Sequence, residues 1–229
     1  NFRVTLTPVL SPSYMIVDLT KSLGAEGQIT YRYDWSLWTN VTATTEYMTD
    51  KLVLRHVPPG TFQMGTPTTQ PWWWQSPQDY HTVTLTKGFY IGIFEMTQAQ
   101  SLNIVPTFNF SEFKTDLTHP IENVSFFNIR GSGPGLGWPS EEVDYNCILG
   151  VLRTKTGLTF DLPTDAQWEY ACRAGTTTSL NNGTDLVGGE NDANLDLLAN
   201  YNYHINATTR VGSYLPNAWG IYDMHGNVW

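Results

Sequence analysis

Apolar and polar residues alternate in several short stretches of this chain, and each such stretch predicts a β-strand. Residues 2–6 carry apolar side chains at every second position, and residues 14–18 show a similar strand pattern. Residues 62–64 predict another short strand, which is expected to end at Gly65. These patterns indicate that the first part of the chain is rich in β-structure.

The next two predicted strands lie very close together in the sequence. Residues 81–86 and 89–94 both have strand-like patterns, and only Lys87 and Gly88 separate them. A two-residue connection that contains glycine is common between antiparallel strands that pair with each other. We therefore expect these two strands to form a β-hairpin.

Two helix starts are marked by one local signal, a threonine followed three residues later by a glutamine. In such a capping box the threonine hydroxyl accepts a hydrogen bond from the third helical N–H, and the glutamine side chain bonds the threonine N–H. Thr97 and Gln100 predict a short helix that ends before Pro106, and Thr164 and Gln167 predict a second helix.

The face that the second of these helices buries can also be predicted from spacing. Trp168, Ala171 and Cys172 stand at positions i, i+3 and i+4, so they are expected to lie together on the buried face. A further helix is expected over about residues 142–155, and Gly157 is expected to end it.

These predicted elements suggest that the chain is organised in three parts. Residues 1–20 are interpreted as the last strands of a truncated, β-sandwich-like domain; the alternative is a strap packed on the main domain. Residues 21–50 suit a connecting segment that packs through scattered aromatic rings. Residues 51–229 are interpreted as one α+β domain, in which the long polar stretch 176–210 is expected to be functional or stabilised by an ion.

Composition excludes several classes of function. The chain has 229 residues, of which 14% are charged and 14% aromatic, and its formal net charge is −9. Without a basic stripe it is not expected to bind nucleic acid, and its acidity disfavours anionic membrane surfaces. No apolar run approaches the ~18 residues that would span a bilayer, so no membrane span is expected.

The chain contains only two cysteines, Cys147 and Cys172, which are too few for a disulfide framework. They could pair with each other, pair with cysteines outside this sequence, or remain free. Free cysteine is among the most frequently buried residue types, so small buried apolar residues are the simplest interpretation.

Six segments, read in order, resemble the signature of one protein family. They are Pro59–Gly65, Phe89–Thr97, His119–Ser125, Leu162–Ala171, Val211–Gly220 and Tyr222–Trp229. Together they resemble the formylglycine-generating enzyme family, also called the sulfatase-modifying factor domain. One such segment would be a weak signal, but six in this order over most of the chain are specific.

The resemblance implies a C-type-lectin-like α+β fold with much irregular loop, and it implies that residues 51–229 are incomplete at the C-terminal end. Catalytic members of the family oxidise a sulfatase cysteine to formylglycine, using molecular oxygen and copper held by a reactive cysteine pair. The resemblance places that pair beyond residue 229. Neither Cys147 nor Cys172 therefore inherits the role, no catalytic residue is assigned, and copper is expected only if the full protein contains the pair. In some members the position of Cys172 is disulfide-bonded to a C-terminal cysteine.

The resemblance and the composition together lead to a functional expectation. We expect a secreted or cell-surface protein in which this domain is a non-catalytic binding or assembly module for an unidentified protein or carbohydrate. One alternative is a copper-dependent formylglycine-generating oxidase whose cysteines lie beyond this chain. A second is a structural subunit of an extracellular assembly, which would associate with itself.

Calcium is the cofactor that the resemblance suggests for this chain, because family members often bind it through backbone carbonyls and a few side-chain oxygens. Asn200 and Tyr201 match one calcium segment, and His225, Gly226 and Val228 match the carbonyl donors of a second. The glutamate of the second segment would follow the last residue. The alternative is that this glycine-containing segment forms only a structural turn.

Three consecutive tryptophans, Trp72, Trp73 and Trp74, are a candidate contact for a protein partner or a sugar. The alternative is that they pack within the chain or between subunits.

Five Asn-x-Ser/Thr sequences are glycosylation candidates if the protein is secreted. Four of them are at Asn40, Asn109, Asn182 and Asn206. The fifth, at Asn123, lies inside a family segment and is expected to be buried.

Overall fold

The computed structural model describes residues 11–66, 80–114, 116–133, 136, 142–188, 191–201 and 207–228. The strands are β1 Tyr14–Asp18, β2 Ile29–Arg32, β3 Lys51–Val57, β4 Gly60–Met64, β5 His81–Leu85 and β6 Phe89–Gly92. The helices are α1 Glu46–Thr49, α2 Gln98–Ile104, α3 Phe126–Arg130, α4 Ile148–Thr156 and α5 Asp165–Arg173. The rest of the described chain is turn and loop, apart from 3₁₀ turns at Val41–Ala43 and Leu195–Leu197. The fold is therefore α+β with much irregular structure, as predicted.

The central sheet has four antiparallel strands in the order β2-β1-β3-β6. In β1, Tyr14 stands opposite Arg55 and Asp18 opposite Lys51 of β3. Residues 14–18, predicted to end a separate β domain, thus lie inside the sheet that β3 belongs to. The boundary predicted at residue 51 falls within one sheet, because β1 pairs with β3 on one side and with β2 on the other.

The segment between residues 21 and 50 also contributes to this unit. It supplies β2, and its Val41 and Met48 are fully buried. As predicted, it packs partly through its rings: Trp38 meets Tyr14 and Tyr47 edge-on, with ring centroids 5.5 and 5.1 Å apart.

The hairpin predicted at Lys87–Gly88 is wrong. Strand β5 pairs with β4 in a second, two-stranded sheet, whereas β6 pairs with β3 in the first. The two pairings are separated between Val57 and Gly60, where Pro58 and Pro59 lack the N–H needed to continue a ladder. Gly88 lies beside this interruption, where a side chain would be crowded, because a Cβ at this position would lie 3.0 Å from the carbonyl oxygen of Val57.

Both predicted capping boxes are present. Thr97 accepts from the N–H of Gln100 at the start of α2, and Thr164 accepts from the N–H of Gln167 at the start of α5. A third box, which the sequence analysis missed, pairs Ser125 with an asparagine instead of a glutamine at the start of α3.

Helix α4 is shorter than predicted. It begins at Ile148 rather than near residue 142, because Cys147 has an extended backbone and closes a turn onto the carbonyl of Asp144. Its predicted end is correct, with Gly157 in the left-handed conformation at φ 72°.

One expected member of the buried face of α5 is exposed. Ala171 and Cys172 are buried, but Trp168 is 44% exposed. The helix packs through its C-terminal half, where Tyr170 contacts the rings of Phe62 and Trp219, so its first turn remains at the surface.

Apolar residues cover both faces of the central sheet. On one face Met15, Val17 and Leu54 pack against Ile148 and Leu152 of α4. The other face is covered by a cluster of Tyr14, Val41, Val53, Ile93 and Tyr222. The second cluster brings the end of the chain against the sheet, and this places the candidate site. In the described part of the chain, no helix has the length and apolar character needed to cross a membrane.

Candidate functional site

The two segments predicted to hold calcium lie directly against each other. The N–H of Asn227 donates to the carbonyl of Asn200 over 2.7 Å. Gly226 packs so closely on the same carbonyl that a Cβ at position 226 would be 2.3 Å from its oxygen. The structure thus joins residues 199–201 to residues 225–228, which no local signal could show.

The predicted side chains differ in what they offer a cation. Asn200 is buried; its amide NH₂ donates to the carbonyl of Ala207, while its Oδ1 has no hydrogen-bond partner among the residues that the structure describes. The hydroxyl of Tyr201 already donates to the carboxylate of Asp196 and accepts from the N–H of Asp192. Tyr201 therefore organises the preceding loop instead of presenting a free oxygen.

His225 contributes its backbone to the site, and its ring is used elsewhere. Its Nε2 accepts a hydrogen bond from the N–H of Asn181, 3.1 Å away. Burial, and secondarily the positive charge of Arg173, lower the pKa of His225 to about 4, so the ring is neutral near pH 7. Among the described residues, none donates a hydrogen bond to the carbonyl of His225, Gly226 or Val228.

Two buried acids in this region were missed by the sequence analysis. Glu95 accepts from the amide of Asn227 and from the N–H of Val228, which fixes the turn of the candidate segment. Asp223 accepts from the N–H of Gly212 through Oδ2, whereas its buried Oδ1 has no partner within the described part of the chain. An acid inside an otherwise apolar run is the sequence signal that could have identified both.

Burial disfavours the charged form of both acids. It raises the pKa of Asp223 to about 6. Burial also raises the pKa of Glu95 well above its usual value, and the neighbouring charge of Asp223 adds to this effect. Two carboxyl groups that repel each other in a buried site are stabilised by a nearby cation.

The donor set is of the type that calcium prefers. Calcium takes six to eight oxygen ligands from carboxylates, amides and carbonyls. The buried oxygens of Asn200 and Asp223, and the carbonyls of His225, Gly226 and Val228, which accept no backbone hydrogen bond from another described residue, fit that chemistry. Within the described ranges no group of three or more His, Cys, Asp or Glu side chains could hold a metal. Most donors would therefore have to be carbonyl or amide oxygens.

Both cysteines are free and buried. Cys147 caps α4, where its sulfur accepts from the N–H of Gly150, and the thiol of Cys172 points at the carbonyl of Met224. Burial raises the pKa of the Cys172 thiol to about 12, so the reactive thiolate form is strongly disfavoured.

The remaining candidate residues are distributed over the surface. Asn40 and Asn182 are exposed, and Asn109 is half-buried with its amide donating to Gln98. The expectation that Asn123 is buried is wrong, because it occupies an exposed left-handed turn with φ 60° before α3. Trp72, Trp73, Trp74 and Asn206 lie outside the described residues.

The sheet, the short capped helices and the turn at 223–228 define a class of protein. The sequence model of the sulfatase-modifying factor enzyme 1-like domain matches residues 39–229, and the chain belongs to this family. Its fold is therefore the C-type-lectin-like fold of the formylglycine-generating enzymes, as predicted.

Particular relatives agree with this assignment. The chaperone protein LppX of Paenibacillus barcinonensis is 31% identical over 175 residues, which cover 64% of this chain and 61% of that protein. The formylglycine-generating enzyme of Mycobacterium tuberculosis is 39% identical over 75 residues, covering 30% of this chain and 25% of the enzyme. The structure of PvdO from Pseudomonas aeruginosa superposes with a TM-score of 0.53 at 27% identity, over 77% of this chain and 68% of PvdO. The chain thus spans less than two thirds of the two sequence relatives.

Proposed function

We propose that this sulfatase-modifying-factor-like chain is a non-catalytic binding or assembly module of a secreted or cell-surface protein. The main support for the proposal is the burial and the hydrogen bonding of the two cysteines. Cys172 is buried with a pKa of about 12, and the sulfur of Cys147 is used in a helix cap. Copper-dependent oxidation needs two accessible thiolates at one metal, and thiols in these environments do not supply them.

The similarity to a protein named as a chaperone supports a role in binding polypeptide. LppX is 31% identical to this chain over 175 residues. A chaperone acts by binding another chain, and it needs no redox centre for that purpose. A protein partner is therefore favoured over a carbohydrate.

An assay for formylglycine tests the proposal directly. The 229-residue chain is incubated with copper, oxygen and a Cys-x-Pro-x-Arg peptide, and the peptide is examined by mass spectrometry. We expect no aldehyde product, while the Mycobacterium tuberculosis enzyme, run in parallel, produces it. Aldehyde formation by this chain, abolished in its Cys147→Ser or Cys172→Ser variant, would refute the non-catalytic role.

The similarity to a formylglycine-generating enzyme favours a second candidate, an oxidase whose cysteine pair lies outside residues 1–229. The 39% identity covers 75 residues of this chain. This candidate requires that a protein carrying this chain together with such a cysteine pair forms the aldehyde when the 229-residue chain alone does not. A third candidate, a structural subunit, requires self-association, which sedimentation velocity at increasing concentration detects.

We further propose that calcium binds between the loops 199–201 and 223–228. Asp223, Asn200 and the carbonyls of His225, Gly226 and Val228 would hold the ion. The observation that supports this site is that Asn200 and Asp223 each have a buried oxygen to which no described residue donates a hydrogen bond. Bound calcium would neutralise the buried acids and cross-link the two loops, and calcium titration followed by thermal unfolding tests the site.

Secretion is consistent with two exposed glycosylation sequences, at Asn40 and Asn182. Expression through a eukaryotic secretory pathway should yield a mass increase at these two asparagines that a glycosidase removes. No such increase at either position would leave the extracellular location without support from this feature.

A further inference from the structure

Seven buried side-chain atoms have no hydrogen-bond partner in the described part of the chain, and they fall into two groups. Three are oxygens at or beside the candidate calcium site. The other four are nitrogens on neighbouring strands: Nε of Arg32, Nε and Nη1 of Arg55, and Nδ1 of His56. Guanidinium nitrogens can only donate hydrogen bonds. A buried group of unpartnered donors indicates a site for an anion, just as unpartnered oxygens indicate a site for a cation.

The two arginines lie on one face of the central sheet, on either side of Tyr14. Tyr14 of β1 stands opposite Arg32 of β2 and opposite Arg55 of β3. Residues that stand opposite each other on neighbouring strands point to the same face. The ring of Trp35 lies 5.0 Å from the guanidinium carbon of Arg55, and its centroid is 5.7 Å from that of the His56 ring. The unpartnered nitrogens of Arg55 and His56 therefore lie beside the same indole ring.

Arg55 has no counter-ion among the described residues. It is only 6% exposed, and its guanidinium lies over the rings of Tyr14 and Trp35. Arg32, in contrast, forms an ion pair with Asp34 over 2.8 Å. Arginine is almost never buried to this extent without a partner, because removing the charge from water is costly. The two rings offset only about 0.5–2 kcal/mol each, so the burial of Arg55 is best explained by an anion that binds there.

Trp35 covers the guanidinium, and its position in the fold allows it to move. It belongs to no helix or strand, and no backbone hydrogen bond joins it to another described residue. The residue is 39% exposed, so one side of its ring already faces solvent. A shift of this ring would open Arg55 to a ligand without breaking a hydrogen bond of the sheet. The same ring would then offer an apolar surface next to the positive charge.

The charges and the aromatic surface favour a carboxylate with a single charge. The planar fork of N–H groups on a guanidinium matches the two oxygens of a carboxylate. Asp34 neutralises Arg32, so Arg55 is the uncompensated charge among the described residues of this cluster. The net charge of −9 disfavours a multiply charged anion such as phosphate. An aromatic ring attached to the carboxylate would pack on the exposed indole of Trp35.

We propose that Arg55 and Trp35 form a binding site for a small aromatic carboxylic acid. The carboxylate of the ligand pairs with the guanidinium of Arg55, and the ring of the ligand packs on Trp35. This site is additional to the proposed function, since it requires no polypeptide partner, no calcium and no cysteine. Its failure and the failure of the proposed function are therefore distinguishable.

The test uses benzoate as the probe and benzamide as a control of the same shape without the charge. The ¹⁵N-labelled chain is titrated, and the Nε–H signal of Arg55 is followed by nuclear magnetic resonance after assignment through its loss in Arg55→Lys. We expect benzoate to move this proton signal downfield in a saturable way, and benzamide to leave it unchanged. Burial, and secondarily the charge of Arg55, lower the pKa of His56, so the bound carboxylate should raise that pKa.

Three variants separate the guanidinium from general positive charge. Arg55→Lys keeps the charge but loses the fork, so benzoate should bind at least about tenfold more weakly. Arg32→Lys is the matched control and should change the affinity by less than about twofold, because Asp34 already pairs with Arg32. Trp35→Ala keeps Arg55 and should weaken benzoate about 2- to 10-fold through the lost ring contact. Thermal unfolding confirms that each variant folds, and if Arg55→Lys does not, the half-exposed Trp35 still provides the test.

Other results would overturn the proposal. Equal binding of benzamide would show an apolar crevice in which the charge has no role. Tighter binding of sulfate than of benzoate would identify a site for tetrahedral anions. Equal weakening by Arg55→Lys and Arg32→Lys would show only general electrostatic attraction. A response to benzoate that appears only after Asp79→Asn would assign the guanidinium to an acid of the chain itself, one that lies outside the described residues. A folded protein whose Arg55 signal does not respond to benzoate would refute the site.

Discussion

At the scale of single residues, unsatisfied or desolvated polar atoms are the best guide to the site. Asp223 is 6% exposed and Asn200 is 7% exposed, and each keeps one buried oxygen that no described residue hydrogen-bonds. Leaving such an atom unsatisfied costs about 1–3 kcal/mol, so its persistence suggests a ligand or a functional constraint. Asn181, whose N–H donates to His225, also has a buried oxygen with no partner in the described ranges.

Aromatic rings explain how some of the few basic residues are accommodated. The guanidinium of Arg55 lies 4.7 Å from the ring centroid of Tyr14 and 5.0 Å from that of Trp35. Arg32 lies 4.7 Å from the ring centroid of Trp38. Cation–π contacts of this kind contribute about 0.5–2 kcal/mol each. The aromatic rings of this chain therefore stabilise some of the positive charges that carboxylates stabilise in other proteins.

The shifted pKa values of Asp223 and His225 predict opposing effects of pH. Asp223 has a pKa raised from 3.8 to about 6, so it stabilises the fold less as pH rises through that range. His225 has a pKa lowered from 6.5 to about 4, so the fold loses stability as pH falls through that range. In chelator, Asp223→Asn should make stability rise more steeply with pH between 4 and 6, and His225→Gln should make it rise less or fall.

Between pH 4 and pH 6, each pKa shift changes the free energy of unfolding by at most about 3 kcal/mol. Urea unfolding at half-unit pH steps measures the slopes, with Glu26→Gln as a control for loss of one exposed carboxylate. Parallel pH profiles for all variants would show that neither group is shifted.

At the scale of elements, the capping boxes show that a buried box contributes more to the free energy of unfolding than an exposed one. Thr97 is fully buried, and its hydroxyl also donates to the carbonyl of Met48. Ser125 forms the same kind of box at an exposed site. We expect Thr97→Ala to lower the free energy of unfolding by about 2 kcal/mol and Ser125→Ala by about 0.5–1 kcal/mol. Urea denaturation measures both, and equal losses would contradict the argument.

In helix α4, replacing a glycine by alanine is expected to destabilise the protein, whereas the same replacement usually stabilises a helix. Replacing glycine by alanine inside a helix usually stabilises it by about 1 kcal/mol. At Gly150, however, a Cβ would be 2.1 Å from the carbonyl oxygen of Asp144 and 2.6 Å from the Cα of Tyr145. We therefore expect Gly150→Ala to destabilise the protein by about 1–3 kcal/mol in thermal unfolding. A rise in melting temperature would show that the turn before α4 can move away.

These elements also show which predictions a sequence supports. The helices at Thr97 and Thr164 were predicted because a capping box involves residues only three positions apart. The start of α4 was misplaced because the turn at Asp144 precedes it. The pairing of β5 was wrong because its partner, β4, lies 17 or more residues away along the chain.

At the scale of the whole molecule, calcium should stabilise the entire fold. The loop 223–228 is joined to the residues that follow β6, because Glu95 accepts from the N–H of Val228 and the N–H of Tyr222 donates to the carbonyl of Ile93. The loop 199–201 is joined to it through the hydrogen bond from Asn227 to Asn200. Calcium that binds only the folded chain raises the free energy of unfolding by about 2.7 kcal/mol at a concentration of 100 times the Kd. Calorimetry should therefore show a higher melting temperature with calcium than with chelator.

Two variants identify the ligand. Asp223→Asn should remove at least half of the calcium-induced rise in melting temperature, while Glu26→Gln, with the same loss of formal charge at an exposed position, should keep it. Magnesium should stabilise less, because it requires near-octahedral geometry and gives up its water reluctantly. An unchanged melting temperature in calcium would refute the site.

The sequence by itself determined the α+β class, the family and two capped helices. Each of these follows from short-range patterns or from motifs that keep their order along the chain. Only the tertiary structure decided that β1 lies inside the sheet, that Glu95 and Asp223 are buried beside the candidate site, and that β6 is the last strand of that sheet. The physical reason is that strand pairing, desolvation and cavity shape depend on residues far apart in the chain, whereas capping and periodicity depend on neighbours.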